Sequence, residues 1–320
     1  MERIDFKETV LSHDNEKKKD KSCGDCCETA KDDPTNSIQL PNGTTEKAPA
    51  PTLGVIRLDY DYPPILGDID HPGSFPYKVF YKVVPGLTFK MCQSGKLTRE
   101  VTRSFKSSIQ WLVEQKKVSG ITGDCGFMMY FQKLAREITH IPVFMSALCQ
   151  LPAVTCAYSS KEQIIIMTAN GKALEPMSNL IKAECGVDTN DTRYHIVGLE
   201  DVEGFEAVAL GKKLNYKKVN PGVIRKTLEA LKQFPKTRAI LLECTQLPPY
   251  ADAIRQQTGL PVFDAVTACN FFIGGFFDNA RFGLQDWQYK WDRKQEKYRF
   301  GDNLSEDERQ KMVNKPSYFS

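Results

Sequence analysis

Two stretches of this chain are copies of one pattern. Residues 120–144 read GITGDCGFMMYFQKLAREITHIPVF, and residues 239–263 read AILLECTQLPPYADAIRQQTGLPVF. In register, Cys125 meets Cys244 and Phe144 meets Phe263, a constant offset of 119 residues. Each copy runs through an apolar strand, an acid (Asp124 or Glu243), a cysteine, a helix-length stretch and a second strand ending Pro-Val-Phe. A further cysteine follows each copy, Cys149 in the first and Cys269 in the second. A repeated strand–helix–strand unit has to bury two like sheets. The pattern therefore predicts two α/β halves related by a pseudo-two-fold axis.

The rest of the chain from Leu53 onward fits that frame. Short β-branched runs at 54–58, 120–122, 142–145, 163–168, 195–197, 239–242 and 261–263 predict strands. Helical periodicity separates them at 105–117, 127–137, 175–184, 221–232 and 250–257. Strands alternating with helices argue for parallel sheets. The expected architecture is α/β, with two pseudo-symmetric parallel-sheet domains and the active site in the cleft between them. Domain 1 is expected over 52–160, completed by the C-terminal segment 268–320, and domain 2 over 161–267. Ser305-Glu-Asp-Glu308 reads as a capping box for a last short helix. Residues 1–51 are poor in apolar side chains and read as a disordered tail.

Charge and cysteine content narrow the function. A net charge of +3 is too small to argue for a nucleic-acid or anionic-membrane partner. No apolar run approaches the roughly 18 residues of a membrane span; the longest, 271–277, contains two glycines. The N-terminus MERIDFKETV has no apolar h-region. The expectation is an intracellular chain, cytoplasmic by default with an organelle destination left open, its ten cysteines reduced. The tail's Cys23, Cys26 and Cys27, with His13 nearby, fall short of the four ligands a zinc site usually needs. No metal and no cofactor is expected.

Ligands of open parallel sheets bind beyond the carboxyl ends of the strands. Cys125 and Cys244 both fall there, so facing halves would put one thiol on each side of the cleft. Free cysteines are more often buried bystanders. That bland reading is the expectation for Cys92, Cys156 and Cys185 and the commoner one for Cys149 and Cys269. A free thiol has a pKa near ~8.5. A helix starting at the cysteine would favour the thiolate and offer N–H groups to a carboxylate. Alternation along the strand is expected to point Asp124 and Glu243 away from their cysteines; placed close, they would oppose ionisation. Arg57 and Asp59 alternate at the end of the first strand, where Arg57 could clamp a carboxylate. His71, in Asp-His-Pro-Gly, reads first as a residue fixing its loop, with catalysis as the alternative.

The segment LECTQLP (242–248) resembles GCTELP, the second-cysteine motif of aspartate/glutamate racemases, and TGDCG (122–126) stands where their first cysteine motif has CNT. Longer segments resemble the algal dimethylsulfoniopropionate lyases, a eukaryotic branch of that superfamily: GVIRLDYDYPPILGDIDHPGS (54–74), VVPGLTFKMCQSG (83–95), VSGITGDCGFMMYFQ (118–132), FMSALCQLPAVTCAY (144–158) and FGDNLSEDER (300–309). The resemblance spans roughly residues 53–318.

It implies β-elimination of the small molecule dimethylsulfoniopropionate to acrylate and dimethyl sulfide, by a homo-oligomer, dimer or tetramer. Racemases use two cysteines as acid and base on opposite faces of the substrate. An elimination that expels a neutral sulfide needs one base. Cys125 is expected as that base and Cys244 as the second thiol; the reverse assignment, or Cys269 in place of Cys244, stays open. The implied substrate-binding residues are Arg57, Asp59, Tyr60, Tyr62, His71, Gly126, Thr245 and Gln246. A sulfonium offers no hydrogen-bond donor and is met by aromatic faces, for which the Tyr60–Tyr81 loop, with Phe75 and Tyr77, and Trp287 are candidates. Gly126-Phe127 and Gln246 depart from the racemase motifs, which weakens the polar amino-acid site. An amino-acid racemase is the alternative, and chiral product analysis with aspartate or glutamate separates the two.

Overall fold

The computed structural model describes residues 50–207 and 212–277. Nearly all of the tail, its cysteines and His13 included, lies outside them, as do Trp287 and the capping box at 305–308.

Two four-stranded sheets form, and every strand pairing in them is parallel. The first holds β1 (Thr52–Arg57), β2 (Lys78–Val83), β3 (Gly120–Gly123) and β4 (Val143–Phe144) in the order β2-β1-β3-β4. The second holds β5 (Gln163–Thr168), β6 (Tyr194–Gly198), β7 (Thr237–Leu242) and β8 (Val262–Phe263) in the order β6-β5-β7-β8. The orders are the same once β1 is matched to β5, so the internal repeat extends to all four strands of each sheet. Central strands carry continuous apolar runs because both faces are covered: Ile164, Ile165, Ile166 and Met167 are all fully buried, as are Ala239 to Leu242.

β2 was not expected. Its stretch was read as part of a Pro/Gly-rich aromatic loop, yet KVFYKV pairs along its full length with β1. Lysines at Lys78 and Lys82 break the apolar run. They suit an edge strand, where charge discourages pairing with another chain. Tyr81 is therefore a strand residue, its hydroxyl donating to the Ile69 carbonyl at 3.1 Å.

The helices are α1 (Phe89–Ser94), α2 (Arg99–Gln110), α3 (Gln132–Ile138), α4 (Leu151–Cys156), α5 (Gly171–Leu174), α6 (Ser178–Cys185), α7 (Tyr216–Gln233), α8 (Ala251–Thr258) and α9 (Ala265–Gly274). Caps set several starts. Thr98 accepts the Val101 N–H, which starts α2 six residues before the periodicity does. Asp264 and Thr267 bond reciprocally as a capping box opening α9. α9 packs back on β1 and β3, where Cys269, Phe272 and Ile273 join Leu53 and Val55 in one buried cluster. The main core joins the halves: Ile56 and Ile121 of the first sheet share it with Ile164, Ile166 and Leu241 of the second. No helix among the described residues is long and apolar enough to cross a membrane.

Candidate active site

The carboxyl ends of β3 and β7 face one another across a cavity of about 210 Å³. Cys125, Gly126 and Phe127 line it from the first half, and Glu243, Cys244 and Gln246 from the second. Phe89 and Gln93 of α1 close one side. Asn170, beyond β5, and Glu200 and Phe205, beyond β6, close the other. The described lining carries no Lys, Arg or His. The strands end alike: the Asp124 N–H donates to the Ile56 carbonyl at 3.0 Å, and the Glu243 N–H to the Met167 carbonyl at 2.7 Å. Across the halves, the buried Thr245 hydroxyl donates to the Asp124 carbonyl.

Neither cysteine opens an α-helix. Cys125 leads into a 3₁₀ segment, Gly126–Phe131, and Cys244 into a turn before another, Pro248–Tyr250. The expected lowering of the thiol pKa is reversed. The Cys125 thiol is held well above its usual range, first by a hydrogen bond with Cys92 of α1, then by burial and the negative charges of Glu243 and Asp124. Burial, then Glu243, raises Cys244 in the same way. Cys92, expected to be a bystander, thus touches the first cleft thiol.

The two acids differ. Asp124 turns away from the cavity, as alternation predicts: its Oδ2 accepts the Leu58 N–H at 3.0 Å and lies 4.0 Å from Arg57 Nε. Glu243 does not turn away. Its Oε2 accepts the Thr168 hydroxyl at 2.7 Å, while Oε1 is buried without a hydrogen-bond partner, over the backbone of Gly126. Burial pushes this carboxyl up to about 7. A side chain at 126 would occupy that space: a β-carbon built there collides with the Glu243 carboxyl, and it meets the Glu243 carbonyl oxygen at 2.6 Å.

Behind Cys244 runs an oriented chain of hydrogen bonds. Cys244 Sγ donates to Gln246 Oε1 at 3.0 Å, Gln246 Nε2 to the Tyr62 hydroxyl at 3.2 Å, and Tyr62 to the Asp68 carboxylate at 2.8 Å. With Asp68 ionised, its carboxylate accepts from Tyr62, which in turn accepts from Gln246. The amide oxygen then faces Cys244, which is held as a neutral donor.

The other expected residues stand outside the cavity lining. Arg57 Nε pairs with Asp70 Oδ1 at 3.0 Å and lies 4.0 Å from Asp124 Oδ2, and the residue does not line the cavity. Asp59 Oδ2 accepts the Gly86 N–H at 2.8 Å, tying down the turn after β2. His71 Nδ1 accepts the Gly73 N–H at 3.1 Å, the loop-fixing arrangement. Tyr60 packs edge-on against Phe89, and Tyr62 reaches the cavity only through Gln246. Phe75 and Tyr77 stack together near α9, where Tyr77 bonds Asn270. Cys269 is buried beneath α9, away from the lining, its thiol raised to about 12 by burial. Cys149 sits 3.4 Å from Gln132 Oε1. The aromatic faces on the cavity are instead Phe89, Phe127 and Phe205. One signal could have found Glu243: it stands where GCTELP has glycine.

No family model matches the chain. Curated relatives do. Over 268 residues the chain is 57 % identical to dimethylsulfoniopropionate lyase 7 of Emiliania huxleyi (strain CCMP1516), covering 82 % of this chain and 78 % of that one. The chain belongs to the dimethylsulfoniopropionate lyase family. The family's dimethylsulfoniopropionate lyase from Durusdinium sp. clade D is 50 % identical over 258 residues, 81 % of this chain and 86 % of that one. Among solved structures, arylmalonate decarboxylase aligns with a TM-score of 0.45 at 17 % identity, over 71 % of this chain and 95 % of that one. A glutamate racemase from Bacillus anthracis aligns at 0.43 and 13 % identity, over 75 % and 82 %.

The buried acids make this lyase-family chain sensitive to pH. Glu243 and Asp68 each titrate at about 7 when folded, against 4.5 and 3.8 unperturbed, because burial disfavours their charged forms. Between those values the unfolded chain has lost protons that the folded chain keeps. Stability therefore falls as pH rises through that window, and these two groups change it no further above about 7. Urea midpoints of the ligand-free chain should be lower at about pH 7.5 than at about pH 5. A midpoint that climbs toward neutrality would contradict the burial of these carboxyls.

Proposed function

We propose that this chain cleaves dimethylsulfoniopropionate to dimethyl sulfide and acrylate by β-elimination, with the Cys125 thiolate as base. The observation that carries the reading is the 57 % identity to a dimethylsulfoniopropionate lyase across 82 % of the chain. The mechanism is supported by Cys125 and Cys244 lining one cavity. The thiolate takes the proton next to the substrate carboxylate. The C–H electron pair becomes the new double bond, and the carbon–sulfur pair leaves with the sulfide. The leaving group departs neutral and needs no acid.

Cys244 is the supporting thiol, because its proton is committed to Gln246. A racemase needs both thiols to exchange roles, which that commitment disfavours. The sulfonium lies against Phe89, Phe127 and Phe205, whose faces attract a cation. The carboxylate is met by amides. Asn170 spends its Oδ1 on the Ala173 N–H, which leaves its amide nitrogen as a donor. Purified protein given dimethylsulfoniopropionate should fill the headspace with dimethyl sulfide. A full-length, folded preparation that releases none would overturn the reading.

A further inference from the structure

We propose that Glu243 is the proton acceptor for Cys125, so that the working base is a carboxylate–thiol pair. This rests on the elimination reading above and deepens it.

The argument starts from charge. Glu243 sits on the cavity wall, 1 % exposed, with Oε2 held by Thr168 and Oε1 without a partner, over the backbone of Gly126 next to Cys125. The other titratable groups facing these two are Cys92 from α1, Asp124 from the end of β3 with Asp70 behind it, Cys244 with Asp68 behind it, and Glu200 and Glu206 across the cavity. None is a cation. Among the described residues, Arg57 lies beside two of these acids, with its Nε paired to Asp70 and 4.0 Å from Asp124. Ionising Cys125 while Glu243 stays charged would set two anions side by side in a low-dielectric pocket. Passing the thiol proton to Glu243 avoids this: the S–H bond breaks, an O–H bond forms on the unpartnered oxygen, and the cavity's charge does not change. The thiolate then takes the substrate proton and becomes a thiol again. Dimethyl sulfide and acrylate depart, and Glu243 releases its proton to water. The sum is one zwitterion converted to sulfide, acrylate and a proton.

The burial of Glu243 supports the assignment. A carboxyl raised to about 7 is the best-matched proton acceptor near neutral pH, whereas a thiol held well above its usual range ionises little alone.

The test is E243Q, which keeps the shape and leaves an amide to meet Thr168. Two readouts are taken: kcat and KM for dimethyl sulfide release, and the pH profile of Cys125 alkylation by iodoacetamide, followed by peptide mass. Expected are a fall in kcat of roughly 10²–10⁴ with KM little changed, loss of the inflection near pH 7 from the alkylation profile, and partial recovery of both in E243D. A KM increase with kcat intact would make Glu243 a counter-charge for the sulfonium and overturn the proposal. An unchanged alkylation profile would also overturn it. Alkylation needs no substrate, so it reads Glu243 even if wild-type protein released no dimethyl sulfide. Should E243Q fail to fold, the wild-type profile decides: an inflection near pH 7 supports the pair, and a single rise above the ordinary thiol range overturns it.

Discussion

Cys125→Ser is expected to release dimethyl sulfide at least about 10³-fold more slowly than wild type, with the fold intact. A hydroxyl is a far weaker acid than a thiol, so the same neighbours that draw a proton from sulfur leave it on oxygen. Cys125→Ala should be equally inactive. The side chain lost is small, so stability should fall by only about 1 kcal/mol. Iodoacetamide should inactivate the wild-type enzyme, and saturating substrate or acrylate should protect it, because the thiol lines the cavity. Cys244→Ala should also be severely impaired, leaving the chain Gln246–Tyr62–Asp68 without its first donor. Cys244→Ser should keep a trace of activity, since a hydroxyl can still donate to Gln246. Cys149→Ala and Cys269→Ala should turn over nearly as wild type, because neither thiol lines the cavity. Near-normal dimethyl sulfide release from Cys125→Ala, measured in the headspace, would remove that residue from its role as base.

Gly126→Ala is the second change expected to have a large effect, although it adds a single methyl group. The methyl would overlap the Glu243 carboxyl and stand 2.6 Å from the Glu243 carbonyl oxygen, a backbone atom that cannot swing aside. The ends of β3 and β7 would have to part. Overpacking of this kind costs typically about 2–3 kcal/mol. Glu243 would also be pushed from its place beside Cys125, so activity should fall by more than about tenfold even where the protein remains folded. Urea unfolding and headspace assays on the same preparation separate the two effects. Wild-type stability and turnover together would show that the halves approach less closely at this point than 2.6 Å implies.

Most of the fold was legible because buried parallel strands leave continuous apolar runs, as in Gln163–Thr168, and because two copies of one unit fix each other's register. β2 escaped because an edge strand carries lysines and sits between Pro/Gly-rich stretches, so its six residues read as loop. Short helices such as α1, capped by Thr88, and α4, which has no side-chain cap, are too short for periodicity to show. The repeat pointed to Cys125 and Cys244, and the local motif to Gly126 and Gln246, all of which line the cavity; Thr245, from the same motif, does not. The aromatic lining was misplaced: Tyr60, Tyr62 and Tyr81 are close in sequence to the first strand's end, but the chain turns them into loop and strand packing. Phe89, Phe127 and Phe205 reach the cavity from three separate segments, which no local pattern links. Glu243 was judged by strand alternation, which holds for Asp124 and fails for Glu243, where the absence of a side chain at Gly126 leaves room for the carboxyl to turn in.

Gly126, standing where CNT has asparagine, and Glu243, standing where GCTELP has glycine, read in the structure as one change. A side chain is removed on one wall, and a carboxyl fills the space from the other. That places an acceptor beside Cys125 while Cys244 remains tied to Gln246. The result is an asymmetric pair of thiols, suited to removing one proton rather than exchanging protons across two faces.

Elimination at the carbon next to the carboxylate is the central claim, and the identity of the three-carbon product tests it most directly. Proton NMR of dimethylsulfoniopropionate incubated with the purified chain should show acrylate, with its vinyl protons, appearing in equal amount to the dimethyl sulfide released. Formation of 3-hydroxypropionate in place of acrylate would mean that water displaces the sulfide without removal of the adjacent proton, and would contradict a thiolate base at Cys125.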